Sequence, residues 1–90
     1  MALGDLGAFN EWVVQEDPPV SLYAAVKAWI DGLDSAPWQA PSVPIPEMTV
    51  EGEYQVREAV VNGVAVIYKE DYSTLVTDLI DVRTLRVHDD

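Results

Sequence analysis

The C-terminal half of the chain alternates apolar and polar positions with a period of two. Residues 53–61 and 64–70 are rich in β-branched and aromatic side chains, and Asn62-Gly63 joins them. A type I′ turn needs positive φ at both central residues, so Asn-Gly between two such runs marks a β-hairpin. A third run, residues 74–86, follows a polar turn at 71–73 and extends the hairpin into an antiparallel meander. With Val61 opposite Val64, Ala59 faces Val66 and Arg57 faces Tyr68 on one side of the sheet. The other side pairs Val60 with Ala65, Glu58 with Ile67 and Val56 with Lys69. The first side is the more apolar near the turn and is assigned to the core; a slip of one residue would exchange the two.

The N-terminal part has the helical period instead. Leu6, Phe9, Val13 and Trp12 predict a short helix over about 5–14. Gly4 and Gly7 weaken it, since glycine costs about 1 kcal/mol in a helix interior. Leu22, Tyr23, Val26, Trp29, Ile30 and Leu33 form one apolar stripe and predict a second helix over about 18–35. Asp17 is the expected cap with Pro18 at the first helical position, and Ser21 is the alternative cap. Pro37, Pro41, Pro44 and Pro46 make residues 36–46 an extended crossover. Pro41 to Pro44 also spells Pro-x-x-Pro, but a crossover within the domain is the favoured use. Residues 47–51 are expected as a short edge strand, so the sheet spans about 47–87. The predicted fold is α+β: two N-terminal helices packed on one face of a three- or four-stranded antiparallel meander, one domain over 1–90.

Charge then narrows the function. The 90 residues carry 16 acids against five bases, a formal net charge of −11, while 49% hydrophobic residues exclude a disordered acidic tail. Lys27 is the single base within residues 1–56. Such a field repels phosphates and favours basic partners, although solubility alone would also explain it. One histidine, His88, and no cysteine leave zinc and transition metals almost without ligands. Glu16-Asp17, Glu70-Asp71 and Asp89-Asp90 lack calcium-loop spacing, and no phosphate-cradling glycine loop occurs. No metal, cofactor or catalytic residue is expected. No apolar run reaches the roughly 18 residues of a membrane span, and no basic-then-apolar leader precedes the first helix. The cytoplasm is the expected location.

Several residues are candidates for partner binding. Asp31 and Asp34 fall three apart and off the apolar stripe. Glu58 and Lys69 are expected as a cross-strand ion pair on the second sheet face. Trp38, in the proline segment, is the tryptophan expected to be exposed.

A family resemblance emerges from particular stretches. Ala28-Trp29-Ile30-Asp31-Gly32-Leu33, with Pro37 after it, resembles the second helix of RelE/ParE toxins and its exit. Tyr54-Gln55-Val56-Arg57, Gly63 to Tyr68 and Leu79-Ile80-Asp81-Val82-Arg83 resemble their sheet. The resemblance covers roughly residues 9–86 and implies a toxin of a toxin–antitoxin pair, an mRNA interferase or a gyrase-directed toxin. It makes Arg57, Arg83, Arg86 and His88 a suspected cationic site. This chain departs from the pattern in three ways. It is acidic where family members are basic, it has Ala65 where an arginine is usual, and its end lacks the tyrosine that many ribonuclease members carry. RNA cleavage is therefore expected to be absent or weak.

The favoured reading is a small cytoplasmic domain that binds a protein with a basic surface, a cognate antitoxin or a host protein, rather than nucleic acid or membrane. A phage- or plasmid-encoded inhibitor would fit that description. A toxin, and an assembly subunit or homodimer pairing through a sheet edge, stay open as alternatives.

Overall fold

The computed structural model describes residues 2–33 and 42–85. Strand β3 (Tyr54–Val61) and strand β4 (Val64–Asp71) form the hairpin, with Asn62 at φ 50° and Gly63 at φ 80°. The pairing runs Val61 with Val64, Ala59 with Val66, Arg57 with Tyr68 and Glu58 with Ile67, the register expected from the sequence. Strand β5 (Val76–Thr84) continues the meander antiparallel to β4. In the turn between them, Asp71 Oδ1 accepts from the Ser73 amide, the Ser73 hydroxyl and the Thr74 amide at 2.9, 2.7 and 3.2 Å. Those bonds hold the Asp71 carboxyl below the usual carboxylate range, the Ser73 hydroxyl contributing most.

Two short strands complete a five-stranded sheet of order β1-β5-β4-β3-β2. Strand β1 (Ala2–Leu3) runs parallel to β5, and strand β2 (Ser42–Pro44) runs antiparallel to β3. The N-terminal strand was not expected, because two residues display no period. Its anchoring is in the backbone instead. The Gly4 amide donates to the Thr77 carbonyl, and Asp5 receives the Leu79 amide while donating its own to Asp78 Oδ1. A Cβ at Gly4 would collide with the Asp78 carboxylate and the Val76 side chain, so both would have to shift to admit one.

Helix α1 (Gly7–Glu16) and helix α2 (Val20–Gly32) pack on one face of the sheet. Phe9, Trp12, Val26, Ile30 and Leu33 bury against Ala59, Val64, Val66, Tyr68, Leu79 and Val82. Each fully buried aliphatic or aromatic side chain of this kind contributes about 1.5–3 kcal/mol. Trp29 is half-buried with its ring edge-on to Tyr68 at 5.8 Å. Trp12 Nε1 donates to Thr84 Oγ1 at 3.0 Å and ties α1 to the far end of β5.

Three expectations about boundaries change. Asp17 does not cap α2: it ends α1 in the left-handed conformation (φ 42°), and α2 starts at Val20 after Pro19. The reason is the Pro18-Pro19 pair, whose second ring disfavours helical backbone at the residue before it. Helix α1 begins later than predicted because the Asp5 carboxylate accepts the Gly7 amide at 2.7 Å while the Asp5 backbone is committed to β5. The edge strand lies at 42–44, not 47–51. Pro46 instead opens a 3₁₀ turn over Pro46–Met48, locked by Thr49 Oγ1 bonding the Ile45 carbonyl and the Val56 amide. The remainder of the proline crossover, residues 36–41, lies outside the described residues.

Candidate functional site

The sheet has two faces of different chemistry. Period two places Gln55, Arg57, Tyr68, Glu70 and Thr77 on the helix-covered face, at the end away from the Asn-Gly turn. Arg57 is fixed there by four groups. Its Nε donates to Ser42 Oγ at 3.0 Å, and its terminal nitrogens donate to Gln55 Oε1 at 2.9 Å and the Ser42 carbonyl at 3.1 Å. Its fourth neighbour is the Glu70 carboxylate, 3.8 Å away, with only 4% of the Glu70 side chain exposed. Glu70 Oε1 accepts no hydrogen bond among the described residues. Burial pushes the Glu70 carboxyl above its ordinary value, and the Arg57 guanidinium opposes that only in part. Burial likewise raises the Tyr68 phenol, against the hydrogen bond with Ser42 and the nearby Arg57 charge.

On the opposite face the central positions are also buried, with Val56 at 2% and Ala65 at 1% exposure. One row crosses four strands on this side: Val43, Glu58, Ile67 and Asp81 on β2, β3, β4 and β5. The next row toward the turn is Val60, Ala65 and Arg83. Val43 is 57% exposed and Val60 43%, while Ile67 is sunk to 7% between its neighbours. The row ends at a β-bulge at Ile80, where β5 gains one residue relative to β4. The bulge shifts the alternation, so Leu79 and Val82 both face the core.

The suspected residues do not assemble as one group. Arg57 is on the helix-covered face and Arg83 is on the opposite one, so these two do not form a common cationic site. Arg83 pairs with Asp81 at 3.5 Å. Glu58 and Lys69 share that opposite face, but the expected ion pair between them does not form. Register puts Lys69 opposite Val56, and its ammonium turns to Asp71 at 4.0 Å and lies 5.2 Å above the centre of the Tyr54 ring. On α2, Asp31 receives Lys27 at 2.9 Å through both oxygens. Asp34, Trp38, Arg86 and His88 lie outside the described residues. The buried Arg57–Glu70 pair was missed as a unit, although the Arg57–Tyr68 pairing already placed both on the core face.

Among the described residues no group of three His, Cys, Asp or Glu side chains could hold a metal ion. A surface cavity of about 390 Å³ lies at the base of the sheet, lined by Pro46, Val50, Glu51, Tyr54, Gln55 and Tyr72 among others. No described helix is long and apolar enough to cross a membrane.

The sequence matches no protein-family model and no curated protein. The structure is similar to a chain of the archaeal RelE–RelB complex from Pyrococcus horikoshii OT3, with a TM-score of 0.72 over 92% of this chain and 91% of that one. At 13% identity the likeness is one of fold. This chain has a RelE-like fold, as the resemblance in its sequence implied.

Proposed function

We propose that this protein acts by binding a protein partner with a basic surface, and not by catalysis. The observation that carries the reading is the fate of its cations. Lys27, Arg57, Lys69 and Arg83, the basic residues among those described, each lie within ion-pair distance of a carboxylate of the same chain. A surface that grips RNA needs cations free to replace counter-ions along the phosphates. Here every described cation has a carboxylate beside it in a chain of net charge −11, so the field that phosphates would meet is negative. The likeness to a chain from a two-protein complex supports a protein partner, a cognate antitoxin or a host protein. Purification from the native host at low salt, with mass spectrometry of what is retained, tests the reading. A basic protein released by raised salt is expected. Recovery of nuclease-sensitive RNA in its place would overturn it.

The RelE-like fold favours one second reading, a toxin directed at RNA or at gyrase. Arg83, Arg86 and His88 would carry that activity, with Arg57 excluded by its burial.

A further inference from the structure

We infer that the cavity at the base of the sheet receives an arginine side chain of the basic partner; this rests on the protein-binding reading above. The cavity, about 390 Å³, lies at the small end of ligand-binding recesses. Its walls combine the rings of Tyr54 and Tyr72, the Glu51 carboxylate and the turn at Gly52. The frame is built into the fold. Val50 and Tyr54 exchange two backbone hydrogen bonds at 3.0 Å, and the Tyr72 amide donates to the Glu53 carbonyl at 3.0 Å. Thr49 Oγ1 donates to the Ile45 carbonyl at 2.8 Å and accepts from the Val56 amide at 3.0 Å. Gly52 turns the chain at φ 84° with no atom within 4 Å of where a Cβ would stand, so the rim is open there. A recess fixed in advance loses little freedom when it is filled.

Charge and aromatic chemistry select the occupant. Glu47, Glu51 and Glu53 are exposed on the turns that frame the cavity, and none of them forms an ion pair with a described residue. The Tyr54 ring already takes a cation, since the Lys69 ammonium lies 5.2 Å from its centre. No described cation lies over Tyr72, which is 45% exposed. A guanidinium suits this set better than an ammonium, because its plane stacks on a ring while its N–H edge reaches a carboxylate. Val50, exposed at the wall, offers apolar surface to the methylene stem. An anion in the same place would meet three carboxylates and be repelled.

The probe is a short capped peptide with one arginine among serines and glycines. Its controls carry lysine at that position, or citrulline, which keeps the shape without the charge. Binding to the full chain is read by amide chemical-shift mapping, titrated to millimolar peptide. The arginine peptide should perturb Val50, Glu51, Gly52, Tyr54 and Tyr72 and bind at least about tenfold more tightly than the citrulline peptide, with the lysine peptide between them. The Glu51→Gln, Tyr72→Ala double variant should bind at least about tenfold more weakly, while Glu11→Gln, on α1, stays within about twofold. Spectral dispersion is checked first; should the double variant lose it, Glu51→Gln alone, an exposed change, should still weaken binding about threefold. No perturbation at the cavity, equal binding of the arginine and citrulline peptides, or equal weakening by Glu11→Gln would overturn the assignment. The protein-binding reading fails separately, by retention of RNA in place of a basic protein from the native host.

Discussion

Removing Arg57 and removing Glu70 should have opposite consequences, although they are partners. Two unit charges 3.8 Å apart attract by roughly 4 kcal/mol at an effective dielectric of about 20. Against this stands the loss of hydration, several kcal/mol for each ion taken out of water. Glu70 is almost fully buried, and its carboxyl is raised in spite of Arg57, so for this group the loss of hydration wins. Glu70→Gln should therefore be neutral or stabilising at pH 7, since the amide keeps the shape without the charge. Arg57→Met should instead cost about 3–5 kcal/mol, because it leaves a buried carboxylate with no counter-ion. For a chain of this length, total stability is roughly 5–13 kcal/mol, so that loss is between about a quarter and the whole of it. The sign with pH follows from the raised carboxyl. Its contribution is fully present below the ordinary carboxyl range and is lost as pH rises through the folded value. Arg57→Met should accordingly recover relative to wild type between pH 7 and about pH 4, and the Arg57→Met, Glu70→Gln double variant should lose that dependence. Urea melts followed by tryptophan fluorescence at both pH values measure all four proteins. A cost for Arg57→Met below about 1 kcal/mol, or one that does not change with pH, would refute the reasoning.

Other consequences are open to similar measurement. Gly63→Val should destabilise by about 1–3 kcal/mol through backbone strain alone, because the space above Gly63 is empty and only its φ of 80° resists a side chain. An unchanged urea midpoint would show that the turn tolerates a β-branched residue. Thr84→Val removes the acceptor of Trp12 and should cost about 1–3 kcal/mol, with little further loss on adding Trp12→Phe beyond the cost of the smaller ring. Strictly additive effects in that cycle would mean the bond contributes nothing. Asp71 contributes stability above the ordinary aspartate range that is lost as pH falls through its lowered value. Asp71→Asn should therefore flatten the acid limb of the stability curve, and an unaltered limb would remove the 71–74 turn from that role.

Much of the fold was legible because each of its main elements has a strong local signal. Asn62-Gly63 fixed the hairpin and, through it, the register; the face that carries Ala59, Val66 and Tyr68 followed from that register and is the one the helices cover. The stripe Val26, Ile30, Leu33 gave α2. What escaped notice was carried by the backbone or by context. Strand β1 is two residues long and is held through Gly4 and Asp5 main-chain bonds, which no hydrophobic period records. The bulge at Ile80 breaks an alternation that Thr77 to Thr84 otherwise mimic in sequence. At the candidate site, period two alone puts Glu58 on the face away from the helices. Its partnership with Lys69 failed because a cross-strand diagonal competes with a nearer carboxylate, Asp71, and with the Tyr54 ring.

The claim that this RelE-like fold serves binding rather than RNA cleavage is tested most directly on translating ribosomes. Purified protein is added to a stalled and an elongating complex, and the message is followed by primer extension over time. Intact message in both, at protein concentrations up to that of the ribosomes, is the expected result. Cleavage that disappears in Arg83→Ala or Arg86→Ala would contradict it and make the acidic protein a ribonuclease.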